Sequence, residues 1–141
     1  MNEQENLRVV QQAYAAFKRG DIPTVLDSLA DDVQWFLPGP QEIVPVAGRR
    51  RGRDQVAQFF KTLAEVQKVE QFEPQEFVAQ GDKVIALGNY RWQVKSTGKT
   101  FASDWAHVFT LQNGKVVKFH EYWDTHAGVT AYGGAKTATG R

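Results

Sequence analysis

Between Thr100 and Thr125 the chain reads TFASDWAHVFTLQNGKVVKFHEYWDT, two long β-prone runs on either side of Asn113-Gly114. A two-residue turn between strands needs positive φ at both central positions, and Asn followed by Gly meets that need at the least steric cost. The dipeptide therefore predicts a long antiparallel hairpin and commits the C-terminal half of the chain to β-sheet. The hairpin carries groups that its own formation does not require: Asp104, His107, Glu121 and Asp124, with Trp105 and Trp123, among Val, Phe and Ala. Such cargo points either to the lining of a chemical pocket or to an unusually polar structural sheet.

The N-terminal half has a different period. Leu7, Val10, Tyr14 and Phe17 recur at steps of three and four, the apolar stripe of an amphipathic helix over residues 4–19. Gly20 stops it, Asp21 caps a second short helix, and Pro23 is tolerated in a first turn where its missing N–H had no partner. Val33 to Leu37 alternates as a strand with Trp35 between its ends, closed by Pro38-Gly39-Pro40. Residues 38–53 are expected as a loop rich in Pro, Gly and Arg. Asp54 is expected to cap a third helix through Val56, Phe59, Phe60, Leu63 and Val66.

From residue 68 the chain reads as strand. Pro74 cannot donate to a ladder, so residues 68–80 are expected to carry a bulge or to lie at a sheet edge. Lys83 to Lys95 and Thr100 to Leu111 follow, and Lys115 to Asp124 closes the sheet. Helices first and long antiparallel strands afterwards define an α+β class. The expected architecture is a curved sheet forming a cone around three N-terminal helices. Residues 1–128 are expected as one domain and the small, polar residues 129–141 as a flexible tail.

Composition bounds the function. At 141 residues there is enough chain for one core without staples. A net charge of +1 offers no strong field for nucleic acid or a membrane surface. With no Cys, thiol chemistry and thiolate metal sites are excluded, which fits a cytoplasmic setting. No run approaches the roughly 20 apolar residues of a membrane span, and MNEQENLRVV is too polar for a signal-peptide core.

Three stretches in order carry a resemblance: AAFKRGDIPTVLDSLADDVQW, VAGRRRGRDQVAQFF and AHVFTLQNGKVVKFHEYWDT. Together they resemble the SnoaL-like, ketosteroid-isomerase-like branch of the nuclear-transport-factor-2-like superfamily. The resemblance implies a cone with a deep apolar cavity, usually as a homodimer. Its members include isomerases, polyketide cyclases, an epoxide hydrolase and non-catalytic binding modules, so the site must choose among them.

Against the ketosteroid isomerase pattern, Leu37 stands near the position of the catalytic base, Tyr14 falls within a residue of the tyrosine, and His107 aligns with the oxyanion acid. Leu cannot accept a proton, so a true ketosteroid isomerase is not expected. The last acid of the epoxide hydrolase relay matches Asp124, while Arg91 is off register.

Alternate strand residues share a face, which groups Ser103, Trp105, His107 and Phe109, and separately Phe119, Glu121 and Trp123. If His107 and Trp123 face inward, Glu121 joins them, whereas Asp124 does so only where the strand end bends. The candidate proton-handling residues are His107, Asp124, Glu121 and Tyr14. The candidate walls for a small hydrophobic ligand are Trp35, Trp92, Trp105, Phe119 and Trp123. His120 and His126 lack a third ligand at metal spacing, and the run Arg49, Arg50, Arg51, Arg53 fits no phosphate-binding motif. Neither a metal nor a cofactor is expected. Two classes stay open: a cofactor-free acid–base enzyme of isomerase, cyclase or hydrolase type, and a non-catalytic ligand-binding or dimerisation module.

Overall fold

The structure is a computed structural model that describes residues 2–133. Helix α1 (Glu3–Lys18) opens on a capping box, in which the Asn2 side chain accepts from the Glu5 N–H and Glu5 reaches back to the Asn2 N–H. That reciprocal pair satisfies two of the first-turn donors, worth about 1 kcal/mol for the cap residue. The apolar stripe read from the sequence faces the sheet, with Val10 and Tyr14 buried. Asp21 caps α2 (Ile22–Asp27), as its position before Pro23 predicts.

Strand β1 (Leu29–Leu37) starts earlier than expected, so Ala30, Asp31 and Asp32 belong to it. Residues 38–53 are not simply a loop, because they contain β2 (Gly48–Arg51), paired antiparallel with β1. The arginines are tied into that structure rather than presented to a ligand. The Arg53 guanidinium donates twice to the Leu29 carbonyl, Arg50 donates to the Val46 carbonyl, and Arg49 lies 4.0 Å over the Phe36 ring. Helix α3 (Arg53–Val66) is preceded by Gly52, whose φ of 87° sets the sharp entry, and Asp54 sits in the first turn rather than at the cap.

The remaining strands are β3 (Gln67–Gln80), β4 (Lys83–Val94), β5 (Thr100–Gln112) and β6 (Lys115–Tyr122). They form one six-stranded sheet in the order β2-β1-β6-β5-β4-β3. Asn113, at φ 52°, and Gly114, at φ 78°, turn β5 into β6 as their dipeptide predicts. Pro74 shows both features expected of it: β3 is one of the sheet's two edge strands, and its register with β4 shifts between Pro74 and Glu76. Further register shifts fall at Val69/Gln71 and at Thr110/Leu111, and each extra residue bends the sheet. The result is the curved, unclosed α+β cone expected from the element order, with one exception to antiparallel pairing. β1 lies parallel to β6, which the five intervening elements make possible.

A fourth helix, α4 (Thr125–Ala131), follows the sheet. Residues 129–133 of the expected tail are thus structured: Ala131 is buried, and the Tyr132 hydroxyl donates to Gln67 Oε1 at 2.6 Å. Residues 134–141 lie outside the described residues. No helix among the described residues is long and apolar enough to cross a membrane.

Candidate functional site

The concave face of the sheet and the inner faces of α1 and α3 enclose an apolar cavity of about 100 Å³. Its walls include Trp35, Leu37, Phe60, Trp92, Phe119 and Trp123. An apolar cavity of ~150 Å³ admits benzene, so this one is on the scale of a single ring.

Strand period two delivers the polar groups. On β5, Phe101, Ser103, Trp105, His107 and Phe109 are buried, while Ala102 and Asp104 are exposed, which is the face assignment made from the alternation. On β6, Phe119 and Glu121 are buried in the same way. His107 and Glu121 are direct cross-strand partners, 5% and 6% exposed. Their side chains meet at 2.8 Å between Nε2 and Oε1. The other ring nitrogen, Nδ1, lies 2.6 Å from the Tyr14 hydroxyl on α1. From β4, the Tyr90 hydroxyl donates to the second carboxylate oxygen of Glu121 at 2.8 Å. Tyr14, His107, Glu121 and Tyr90 therefore form one continuous buried hydrogen-bond chain, and all four line the cavity.

The chain has two proton states that its geometry permits. With a neutral imidazole, the Nε2–H donates to Glu121 and Nδ1 accepts the Tyr14 O–H. With an added proton, both ring N–H groups donate, to Glu121 and to the Tyr14 oxygen, and the Tyr14 O–H is released toward the cavity. Burial raises the Tyr14 pKa well above its ordinary value, and the Glu121 charge adds to the effect. Burial likewise raises that of Tyr90, followed by the Glu121 charge, the hydrogen bond to Glu121 and the Asp124 charge. Both phenols stay protonated at neutral pH and act as hydrogen-bond donors, not as phenolates.

Not every sequence candidate joins this chain. Asp124 turns away because β6 ends at Tyr122, two residues before the expected boundary. Its carboxylate instead accepts from the Ala127 N–H as the N-cap of α4, exposed on the outer side. The bend that would have carried Asp124 inward is replaced by a helix start. Trp105 is not a cavity wall either. It stacks behind the imidazole, with ring centroids 4.0 Å apart at 17°, and on Phe72 at 5.4 Å. Gly88 permits this, since a Cβ there would collide with the Trp105 ring and the Glu73 carbonyl. Trp35, Trp92, Phe119 and Trp123 do line the cavity, with Trp35 stacked on Phe119 at 4.0 Å. Trp123 also donates its indole N–H to the Pro38 carbonyl, pinning the loop after β1.

Tyr90 is not among the residues that the sequence pattern singles out, although a signal for it exists. Period two along β4 places it on the same face as Trp92, which was assigned to the cavity. Leu37, which the resemblance puts near the isomerase base, lines the cavity as an apolar wall. Among the described residues no three His, Asp or Glu side chains cluster as a metal site.

A bent, unclosed six-stranded sheet with helices packed into its concavity is the architecture of nuclear-transport-factor-2-like proteins. Within that superfamily the chain belongs to the SnoaL-like domain family, which matches residues 10–119. An NTF2-like protein of Burkholderia xenovorans is 38% identical, the match covering 94% of this chain and 98% of that one, with a TM-score of 0.85. A second, from Burkholderia thailandensis, is 29% identical over 93% of this chain and 98% of its own, with a TM-score of 0.81. An uncharacterized protein of Mycobacterium tuberculosis is 28% identical over 134 residues, 94% of this chain and 98% of its own length.

Proposed function

We propose that the protein is a cofactor-free acid–base enzyme acting on a small, apolar, cyclic substrate that bears a carbonyl or hydroxyl oxygen. The observation that carries this reading is the buried chain from Tyr14 through His107 and Glu121 to Tyr90, ending at an otherwise apolar cavity. Tyr14 is the group that meets the substrate oxygen. His107 supplies or withdraws the proton behind it, Glu121 orients the imidazole and balances its charge, and Tyr90 holds Glu121 in place. An imidazole suits the work because its ordinary pKa lies near neutrality.

The chemistry is concentrated at the substrate's oxygen end. Leu37 offers no base in the cavity wall, which favours dehydration or aldol-type cyclisation in which solvent water takes the α-proton while Tyr14 stabilises the enolate oxygen, over proton abstraction by a dedicated carboxylate. Leu37 equally favours a second reading, in which the same cavity binds a ligand without turnover.

Two measurements separate these readings. Cyclohexenone bound to the protein should show a carbonyl infrared stretch lowered by the Tyr14 hydrogen bond, and Tyr14→Phe should abolish the shift. Elimination of water from 3-hydroxycyclohexanone, followed as enone absorbance, should be accelerated by the wild type and fall by about 10²-fold or more in His107→Ala. A shifted stretch without acceleration selects the binding module. An unshifted stretch refutes both roles given to Tyr14.

We further propose a homodimer formed through the convex face of the sheet. That face exposes Leu87 (36%) and Tyr122 (52%) beside charges of both signs, Arg91 and Asp104, the mixture a self-complementary surface requires.

A further inference from the structure

The proton-handling chain is not the whole of the cavity's polar lining. Gln67, the first residue of β3, is only 5% exposed and lines the cavity. Its backbone N–H donates to the Leu63 carbonyl and closes α3, so the residue is fixed at a helix-to-strand junction. Its side-chain Oε1 accepts the Tyr132 O–H at 2.6 Å, which fixes the orientation of the carboxamide. The Nε2 group has no hydrogen bond to any described residue, nor is it sealed within packed protein as the indole nitrogens of Trp35 and Trp105 are. An amide NH₂ on a cavity wall, with no acceptor among the described residues and not sealed by packing, is a donor free to meet a ligand oxygen.

Its place in the sheet sets it apart from the proton chain. Gln67 pairs with Val94, four residues along β4 from Tyr90, or roughly 13 Å of strand. The cavity thus has a polar group toward each of two ends, with Trp92 on the wall between them. No Lys or Arg lines the cavity among the described residues, so an anionic group at the Gln67 end would have no counter-charge.

Building on the reading above, we infer that Gln67 is a specificity residue whose amide N–H receives a second, neutral carbonyl oxygen of the ligand. The ligand is then one that carries a second, neutral carbonyl oxygen away from the one at Tyr14, rather than a monoketone or a carboxylate. Helix α4 supports this subsite. Tyr132, at its C-terminus, holds the amide, and the Thr97 hydroxyl donates to the Ala131 carbonyl and ties the helix to the turn between β4 and β5.

The test uses matched probes of two lengths on the full chain: cyclohexanone against 1,4-cyclohexanedione, and acetophenone against 1,4-diacetylbenzene. In at least one pair the diketone should bind about five- to tenfold more tightly, beyond the twofold that two equivalent ends give by statistics. Gln67→Leu should reduce that advantage to the statistical factor while changing monoketone affinity by less than about twofold. Tyr132→Phe, which removes one hydroxyl and keeps the packing, should reduce the advantage in part, and circular dichroism confirms that both variants fold. Equal binding within both wild-type pairs overturns the inference. So does a Gln67→Leu variant that weakens both members of a pair alike. Failure of every probe, monoketones included, overturns the cavity's role as a ketone site as well, whereas monoketone binding without a diketone advantage sinks the Gln67 assignment alone.

Discussion

At the scale of single residues, the imidazole of His107 is positioned by partners on every side. Glu121 and Tyr14 take its two nitrogens, and Trp105 covers one face. The two tyrosines make a pH prediction. Burial raises both folded-state pKa values above the ordinary value of 10.0. Their contribution to stability is therefore complete below pH 10 and is lost as pH rises through and beyond it, because the unfolded chain then releases protons that the folded chain keeps. Urea unfolding between pH 9 and pH 11 should show a falling midpoint. Tyr90→Phe, though less stable at pH 7, should show a shallower fall. An unchanged slope in Tyr90→Phe would place the alkaline loss elsewhere.

Among the elements, α4 decides most about the site, and it is the one least announced by composition. Gly, Ala and Thr suggest a frayed tail, yet the segment folds because Asp124 caps it and Gly128 lets it approach the Trp123 ring closely. Asp124→Ala should cost about 1 kcal/mol by denaturant unfolding, the value of an N-cap, and should leave ketone binding in the cavity intact. Loss of turnover without loss of the helix would instead return Asp124 to the chemistry. Gly128→Ala should act differently. The new methyl meets the Trp123 ring, so the indole must move, and ligand affinity should change together with quenching of Trp fluorescence.

For the molecule as a whole, the curved sheet has a concave face occupied by helices and a convex face left open. His120 lies on that open face, stacked on Tyr122 with ring centroids 4.1 Å apart. Burial lowers its pKa and the Arg49 charge adds to this, so its neutral form fits the folded chain better. If two copies meet there, sedimentation at neutral pH should give about twice the mass of 15.9 kDa. Leu87→Asp combined with Tyr122→Asp should return the protein to that mass while keeping its circular dichroism. A wild type that sediments as a monomer across the micromolar range removes the dimer.

Period and turn chemistry are local properties, and they settled a great deal from the sequence alone. The Asn113-Gly114 hairpin, the Asp21 cap and the disruption of β3 at Pro74 all follow from the conformations those residues allow. The shared inward face of His107 and Glu121 follows from the two-residue repeat of a strand. Other features required the chain to fold back on itself. β2 forms because β1 offers an open edge to a segment that looks like a loop. Asp124 leaves the cavity because β6 stops two residues short and a helix begins. Tyr14 meets His107 across 93 residues of chain, and no local periodicity encodes a distance of that kind. The same holds for Gln67, whose carboxamide is oriented only once α4 has packed and Tyr132 has taken its oxygen. Local sequence specifies which way a side chain points; only tertiary packing decides what it meets there.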